Sequence, residues 1–467
     1  MRRLSETVRL KRFVPFDGLP VRRIGSPLET QSEYAQPGHA LGRSTELTMA
    51  ALSSSPEINA QDVDAPMSAG RVPPVELEVG LLTGGFDRPY ALGLAMALTA
   101  TNVRLEVVGS DEVDTPEMHT TPKLKFLNLQ GDPRQQLNLV RRAVRVMIFY
   151  VRLLRYAATA KPRIFHILWN SKLQLFDRTL LMLYYKLLGK RIVLTAHNVN
   201  AGQRDANDSL LNRLTLKVQY RLADRIFVHT KLMKSQLLEQ FGVKAEAVTV
   251  IPFGINNTVP NTELTPTEAK QRLGIEPWEK TVLFFGSLRP YKGIEHLVAA
   301  FQKIADRDAH YRLVIAGEPR KECENYLHDI RERIAAHPSR AQVITKMQYI
   351  PDSETELYFK AADLLALPYV QVFQSGVLFL AYGFGLPVVA ADISSFRDDV
   401  VHGQTGFLYD PADPSALGRT IREYFESDLY KELDMRRREI RSSAEKTHSW
   451  EVIGRTTRNV YEGLLAQ

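Results

Sequence analysis

Apolar residues along this chain fall into short runs that switch between two periods. From Val75, VELEVG alternates as a strand does, Gly84 and Gly85 mark a turn, and PYALGLAMALTA repeats at helical spacing. VRLEVVGS (103–110), KLKFLNL (123–129), RIFHILWN (163–170), RIVLTAHNV (191–199), ADRIFVHT (223–230) and AEAVTVIPFG (245–254) predict further strands. TLLMLYYKLLG and LLNRLTLKVQYRLA predict helices between them. Strands alternating with helices imply a parallel sheet covered on both faces. Residues 256–278, polar and proline-containing, break the rhythm and read as a linker with a short helix.

A second series follows. TVLFFGSL, YRLVIAGE, AQVITKM, the end of ELYFKAADLLALPY, PVVAAD and GFLYD predict strands, with KGIEHLVAAFQKIA, CENYLHDIRERIAAH and VLFLAYGFG as helices among them. The predicted fold class is α/β: two doubly wound Rossmann-like domains facing across a cleft. Their expected bounds are 75–255 and 279–445, with an amphipathic helix over 446–467 long enough to return to the first domain. Residues 1–74 are mixed in charge, rich in Ser, Pro and Gly, and hold no period. They read as a flexible extension.

Composition narrows the classes. Hydrophobic residues make up 44 % and charged residues 24 % of the 467, as in a globular protein. The single cysteine, Cys323, excludes an intrachain disulfide and any cysteine-based metal cluster. A formal charge of +7 suits an anionic ligand or surface. No RNP, zinc-finger or KH signature accompanies it, so nucleic acid is not an expected partner. No apolar run is long enough to span a bilayer, and MRRLSETVRLKRFVPFDG lacks the apolar core of a secretory signal. The expected location is the cytoplasm.

In open parallel sheets, ligands sit beyond the carboxyl ends of the strands. Neither half carries a dinucleotide fingerprint or a P-loop. In FFGSLRPYKGIEHLV, Arg289 and Lys292 lie between a strand end and a helix start, a place suited to a pyrophosphate. In QSGVLFLAYGFG, Ser375 and Gly376 open a helix whose first N–H groups can face a phosphate. His197 and Asn198 follow IVLTA, where a histidine can orient a hydroxyl or polarise a transferring group. Gly84 and Gly85 permit close backbone approach. Lys231 and Glu318 also sit just past strand ends. Each has a plain structural alternative: a solvated loop, a capped buried helix, or a histidine bonded to nearby backbone. His166, inside a strand, reads as structural.

VRRAVRVMIFYVRLLRYAA (140–158) is a basic amphipathic helix. Arg141, Arg145, Arg152 and Arg155 gather on one side, and Val144, Met147, Val151 and Leu154 on another. It suits the surface of an anionic bilayer. Equally, it can pack its apolar side on the sheet and leave the arginines in water.

GSLRPYKGIEHLVAAF, VIAGE, YIPDSETELYFKAADLLALPY, SGVLFLAYGFGLPVVAADISSFRDDV and HGQTGFLYDPADPSAL, in this order and spacing, resemble the group 1 (family 4) retaining glycosyltransferases of the GT-B type. The resemblance is strong over about 280–435 and weaker over about 76–255, where LTAHNV and ADRIFVHT recur in place; residues 1–74 match nothing. It implies transfer of a hexose from a nucleoside diphosphate sugar to a hydroxyl of a growing glycan, in polysaccharide assembly; the 140–158 helix adds the expectation of a lipid-linked acceptor at the inner membrane face. By the same resemblance, Arg289 and Lys292 grip the diphosphate, and Ser375, Gly376 and Val377 support the donor from the backbone. His197 stands beside the reacting sugar, and Gly85 near the donor phosphate. No metal or other cofactor is required. One departure stands out. The two glutamates that the family carries eight positions apart fall here on Val372 and Leu380, leaving Gln371 or Gln374 to make a polar contact. The loss favours, as alternatives, an inactive nucleotide-sugar-binding protein; a nucleotide-sugar epimerase is the same-fold enzymatic alternative.

Overall fold

Two parallel sheets frame the protein in a computed structural model that describes residues 77–132, 138–204, 208–393 and 395–466. The extension expected over 1–74 lies outside the described residues. The first sheet holds β1 (Leu77–Leu82), β2 (Val103–Gly109), β3 (Leu124–Asn128), β4 (Ile164–Ile167), β5 (Arg191–Thr195), β6 (Arg225–Val228) and β7 (Val248–Val250). Their order is β3-β2-β1-β4-β5-β6-β7. The second holds β8 (Lys280–Phe285), β9 (Tyr311–Ala316), β10 (Val343–Lys346), β11 (Leu364–Leu367), β12 (Val388–Ala391) and β13 (Gly406–Tyr409), ordered β10-β9-β8-β11-β12-β13. Every pairing is parallel; Val79, for example, faces Leu105 on one side and Ile164 on the other. Central strands such as LLAL and VVAA are buried throughout, because helices cover both faces.

In each sheet the strand order reverses once, between β1 and β4 and between β8 and β11. At such a reversal the loops leave in opposite directions and open a crevice. The Gly84–Gly85 turn and Trp169 leave the first crevice. Residues 286–293 and 368–376 leave the second.

The two series of helices on the first sheet have different origins. Arg88–Ala100 shares its core with the final helix, Trp450–Leu465, through Tyr90, Leu94, Ile453, Tyr461 and Leu464. The chain therefore returns to the first domain at its end. Gly454 is needed there, since a side chain on it would start 2.9 Å from Ala97 Cβ. Trp450 lies at the crossing, against Gly93 and Gly254, and its indole N–H donates to Ile255 O at 2.7 Å. Alongside, Ile255 N–H donates to His448 O at 3.3 Å. The domains also meet where Arg88 pairs with Asp352, which accepts from Thr258 Oγ1 at 3.1 Å. Trp450→Ala is expected to cost about 3 kcal/mol, the usual range for emptying an aromatic site. A urea midpoint equal to wild type would show that the crossing contributes nothing.

The opposite face carries Leu139–Thr159, the helical run Gln174–Leu187 with a π-turn at Asp177–Leu181, and Leu210–Leu222. The first of these corrects one expectation. Its sheet-facing stripe is Phe149, Tyr150, Leu153 and Ala157, whereas Val144, Met147 and Val151 are exposed. The helix has two apolar stripes, and the aromatic one, with more area to bury, takes the sheet.

Candidate active site

The loop after β8 is shaped by glycines. Gly293 has φ +65°, and a side chain there would start 2.1 Å from Pro368 O, so the β8 and β11 loops can close on each other only with glycine. Val370 N–H donates to Tyr291 O at 2.8 Å and locks that approach. The result tucks Lys292 inward at 5 % exposure, with its ammonium 5.2 Å from the Tyr369 ring centre. Burial depresses its pKa to about 8; Tyr291, next in size, opposes the shift, and the charges of Arg289, Arg204 and Arg320 add to it. Among the described residues no carboxylate pairs with Lys292 or Arg289. A buried cation without a counter-ion, ringed by other cations, is an arrangement completed by an anion.

The second anion-binding element is adjacent. A side chain on Gly286 would start 3.0 Å from Lys292 Nζ and 3.2 Å from Val377 Cγ2, so the lysine and the start of the Gly376–Gly383 helix flank one point. Ser375 is buried but makes no capping bond, which leaves the first N–H groups of that helix open. Gly376 is exposed, Val377 partly so. Val372 and Leu380, where acids were expected, are 4 % and 6 % exposed and belong to the apolar core. Gln371 is half-buried. Gln374 Oε1 is shielded without a partner, beside the carboxyl of Asp399, which burial and then Asp398 lift to about 7.

Across the cleft, His197 stacks flat on Trp169 at 4.2 Å and meets the Tyr90 ring edge-on at 4.6 Å. Its Nδ1 is 3.0 Å from His229 Nε2, and His229 Nδ1 is 3.3 Å from Ile251 O. Burial lowers both imidazoles, His229 to about 4, so both are neutral. The tautomers then follow. A carbonyl only accepts, so His229 Nδ1 carries a proton and its Nε2 is bare. His197 Nδ1–H donates to that nitrogen, and His197 Nε2 is left as an acceptor with no partner. His166 is a core residue as expected: Nε2 is 2.7 Å from Thr195 Oγ1 and Nδ1 is 2.5 Å from Tyr461 Oη.

Phe253 joins the halves. It lies 5.0 Å from His229 and stacks on Phe379 at 5.5 Å, and a side chain on Gly376 would meet it at 3.6 Å. Arg204, from the first domain, donates to Asn198 Oδ1 at 3.1 Å and lays its guanidinium over Tyr291 at 4.8 Å. One chain of contacts thus joins the two halves: His197 reaches Gly376 through Phe253, Asn198 reaches Tyr291 through Arg204, and Lys292, under the charge of Arg289, lies beside Val377. Gly84 and Gly85 are buried behind it, against Trp169 and Gln130. Lys231 and Glu318 are exposed and bond to none of these residues. Arg204, Arg320 and His229 were missed. A cation six residues past the AHN turn was the available signal for Arg204. The histidine of FVHT, at the next strand end, was the signal for His229.

Residues 89–258 match the family described as Glycosyltransferase Family 4, and residues 279–427 match Glycosyl transferases group 1. The chain belongs to the group 1, family 4 glycosyltransferases. Among this transferase's relatives, the D-inositol 3-phosphate glycosyltransferase of Corynebacterium glutamicum (strain R) is 25 % identical over 285 residues, covering 59 % of this chain and 67 % of that protein. Its counterpart in Corynebacterium diphtheriae is 27 % identical, and this chain spans only 57 % of its length. The fold of the transferase is GT-B. Sucrose-phosphate synthase from Thermosynechococcus elongatus superposes with TM-score 0.66 at 18 % identity, over 84 % of this chain and 100 % of that one.

Proposed function

We propose that this chain transfers a hexose from a nucleoside diphosphate sugar to a hydroxyl of a glycan or lipid-linked acceptor, with retention, in polysaccharide assembly. The observation that carries this reading is the buried, unpaired Lys292, with Arg289, beside the open first turn at Gly376. As the bond from the sugar's anomeric carbon to the diphosphate oxygen breaks, negative charge grows on the diphosphate. The two cations and the N–H groups stabilise that charge without reorganising. The acceptor oxygen attacks the same face of the sugar, and the departing diphosphate takes its proton. His197 Nε2, a bare acceptor, receives a bond from a sugar hydroxyl. The Anabaena protein HepE, solved with UDP-glucose and similar in fold (TM-score 0.64, 15 % identity), supports a donor of this class. We also propose that residues 140–158 hold the enzyme at an anionic membrane surface where the acceptor is presented.

The apolar burial of Val372 and Leu380 favours one other reading, a protein that binds the nucleotide sugar without turning it over. A panel of nucleoside diphosphate sugars separates the two. The expected result is that one donor raises the Tm and supports transfer, and that Arg289→Ala and Lys292→Ala each abolish the shift. Stabilisation indifferent to both substitutions would reject the site; stabilisation without transfer to any acceptor would leave the binding protein.

A further inference from the structure

The three helices on the outer face of the first sheet lie side by side. Tyr150 Oη donates to Asp177 Oδ1 at 2.8 Å and Tyr184 Oη to Leu154 O at 3.3 Å, tying the first two together. Arg178 Nη1 donates to Asn212 Oδ1 at 2.7 Å, tying the second to the third. Their inner residues form one core with the sheet. Their outer residues are not those of an ordinary solvated layer. Sixteen of the twenty-four large apolar side chains exposed among the described residues fall between Leu139 and Val218. Met147 and Val151 (both 61 % exposed), Leu180 (62 %), Leu187 (78 %), Leu210 (81 %) and Leu214 (61 %) sample all three helices. An exposed apolar area on this scale marks an interaction surface.

Charge identifies the partner. Leu139–Thr159, Gln174–Leu187 and Leu210–Leu222 contain ten Lys and Arg residues. Their one acid, Asp177, is buried at 4 % exposure. No helix among the described residues is long and apolar enough to cross a membrane. Amphipathic helices that present leucines among arginines, with no exposed acid, match the interface of an anionic bilayer, where the apolar groups enter the acyl boundary and the cations meet headgroups. A second copy of the chain fits poorly, because pairing two such faces would bring like charges together.

We infer that this whole three-helix layer, not residues 140–158 alone, is a bilayer-docking face that inserts its leucines. The inference rests on the membrane contact proposed above and extends it by two helices. It turns the loops after β4 and β5, which begin or end these helices and carry Trp169 and His197, toward a lipid-anchored acceptor.

The test uses the full chain and vesicles of phosphatidylglycerol and phosphatidylcholine, with pure phosphatidylcholine as the control. Wild type is expected to float with the anionic vesicles. A quadruple variant, Leu180→Ser, Leu187→Ser, Leu210→Ser and Leu214→Ser, which leaves 140–158 untouched, is expected to bind at least tenfold more weakly with unchanged Tm. In Leu214→Trp, the new indole should be quenched by lipids brominated on their acyl chains. Vesicle binding by the quadruple variant equal to wild type would overturn the inference, as would failure of wild type to bind. So would leucine-dependent self-association in sedimentation velocity without vesicle binding, which would assign the face to a second copy. Donor-induced stabilisation, measured in the same variants, should be unchanged; its persistence separates loss of docking from loss of the transferase site.

Discussion

Lys292→Ala and Arg289→Ala should each lower kcat by about 10²–10³-fold, the range for removing one preorganised stabiliser of developing negative charge. Lys292 makes the sharper case because its cost and use have opposite signs. In the free protein it is buried without a counter-ion, and its pKa is lowered to about 8 by burial and by neighbouring cations. A lysine whose folded pKa lies below its unfolded value destabilises the fold while charged. That penalty is fully present below pH 8 and is relieved as pH rises from about 8 toward the ordinary lysine value. Lys292→Met should therefore raise the Tm of the ligand-free protein while destroying transfer. A bound diphosphate supplies the missing charge and pulls the pKa back up, so donor affinity should fall as pH rises past about 8. Calorimetric titration from pH 6.5 to 9.5 measures this; an affinity flat across that range, or a Lys292→Met variant less stable than wild type, would contradict the account.

Replacing His229 is the second large effect. Through its bond to Ile251 O, His229 fixes the proton on His197 Nδ1 and so keeps His197 Nε2 bare. In His229→Leu the His197 ring can take the other tautomer, presenting an N–H where a sugar hydroxyl needs an acceptor. The expected loss in kcat/KM is about 10²-fold, comparable to losing a charge-positioning contact. Glutamine carries one donor and one acceptor, so His229→Gln can repeat both bonds and should recover most of the activity. Long-range 1H–15N spectra should show an unprotonated His197 Nε2 in wild type and His229→Gln but a mixture in His229→Leu. Equal loss in the two variants would reduce His229 to packing. Because burial lowers both imidazoles, His229 to about 4, neither should produce a titration in the pH–rate profile between 5 and 7.

Much of this was legible in the chain because it depends on local rules. Apolar runs such as TVLFF in β8 and VVAA in β12, each followed by glycine or a polar turn, can be read without tertiary information, and strand ends locate loops such as 286–293. The same rules placed Lys292 and Gly376, since a strand end and a helix start are sequence features. They could not show that Gly286 brings both to one point. His229 reaches His197 only because β5 and β6 are neighbours, and Arg204 reaches Tyr291 only because the two domains face each other. The 140–158 helix was ambiguous for a different reason. It has two apolar stripes, and periodicity alone cannot say which one a sheet will choose.

The return of Trp450–Leu465 to the first domain has a consequence for synthesis. Tyr461 fills the core beside His166, in the middle of the first sheet, and Ile453 and Leu464 close over the Arg88–Ala100 helix. On the ribosome, that sheet can emerge long before its last covering helix exists. At elongation rates of about 5–20 residues per second, the wait is on the order of tens of seconds. Through that interval the nascent first domain presents an uncovered apolar flank, so the second domain can complete itself earlier than the first, and chaperones should engage the half of the protein that is translated first.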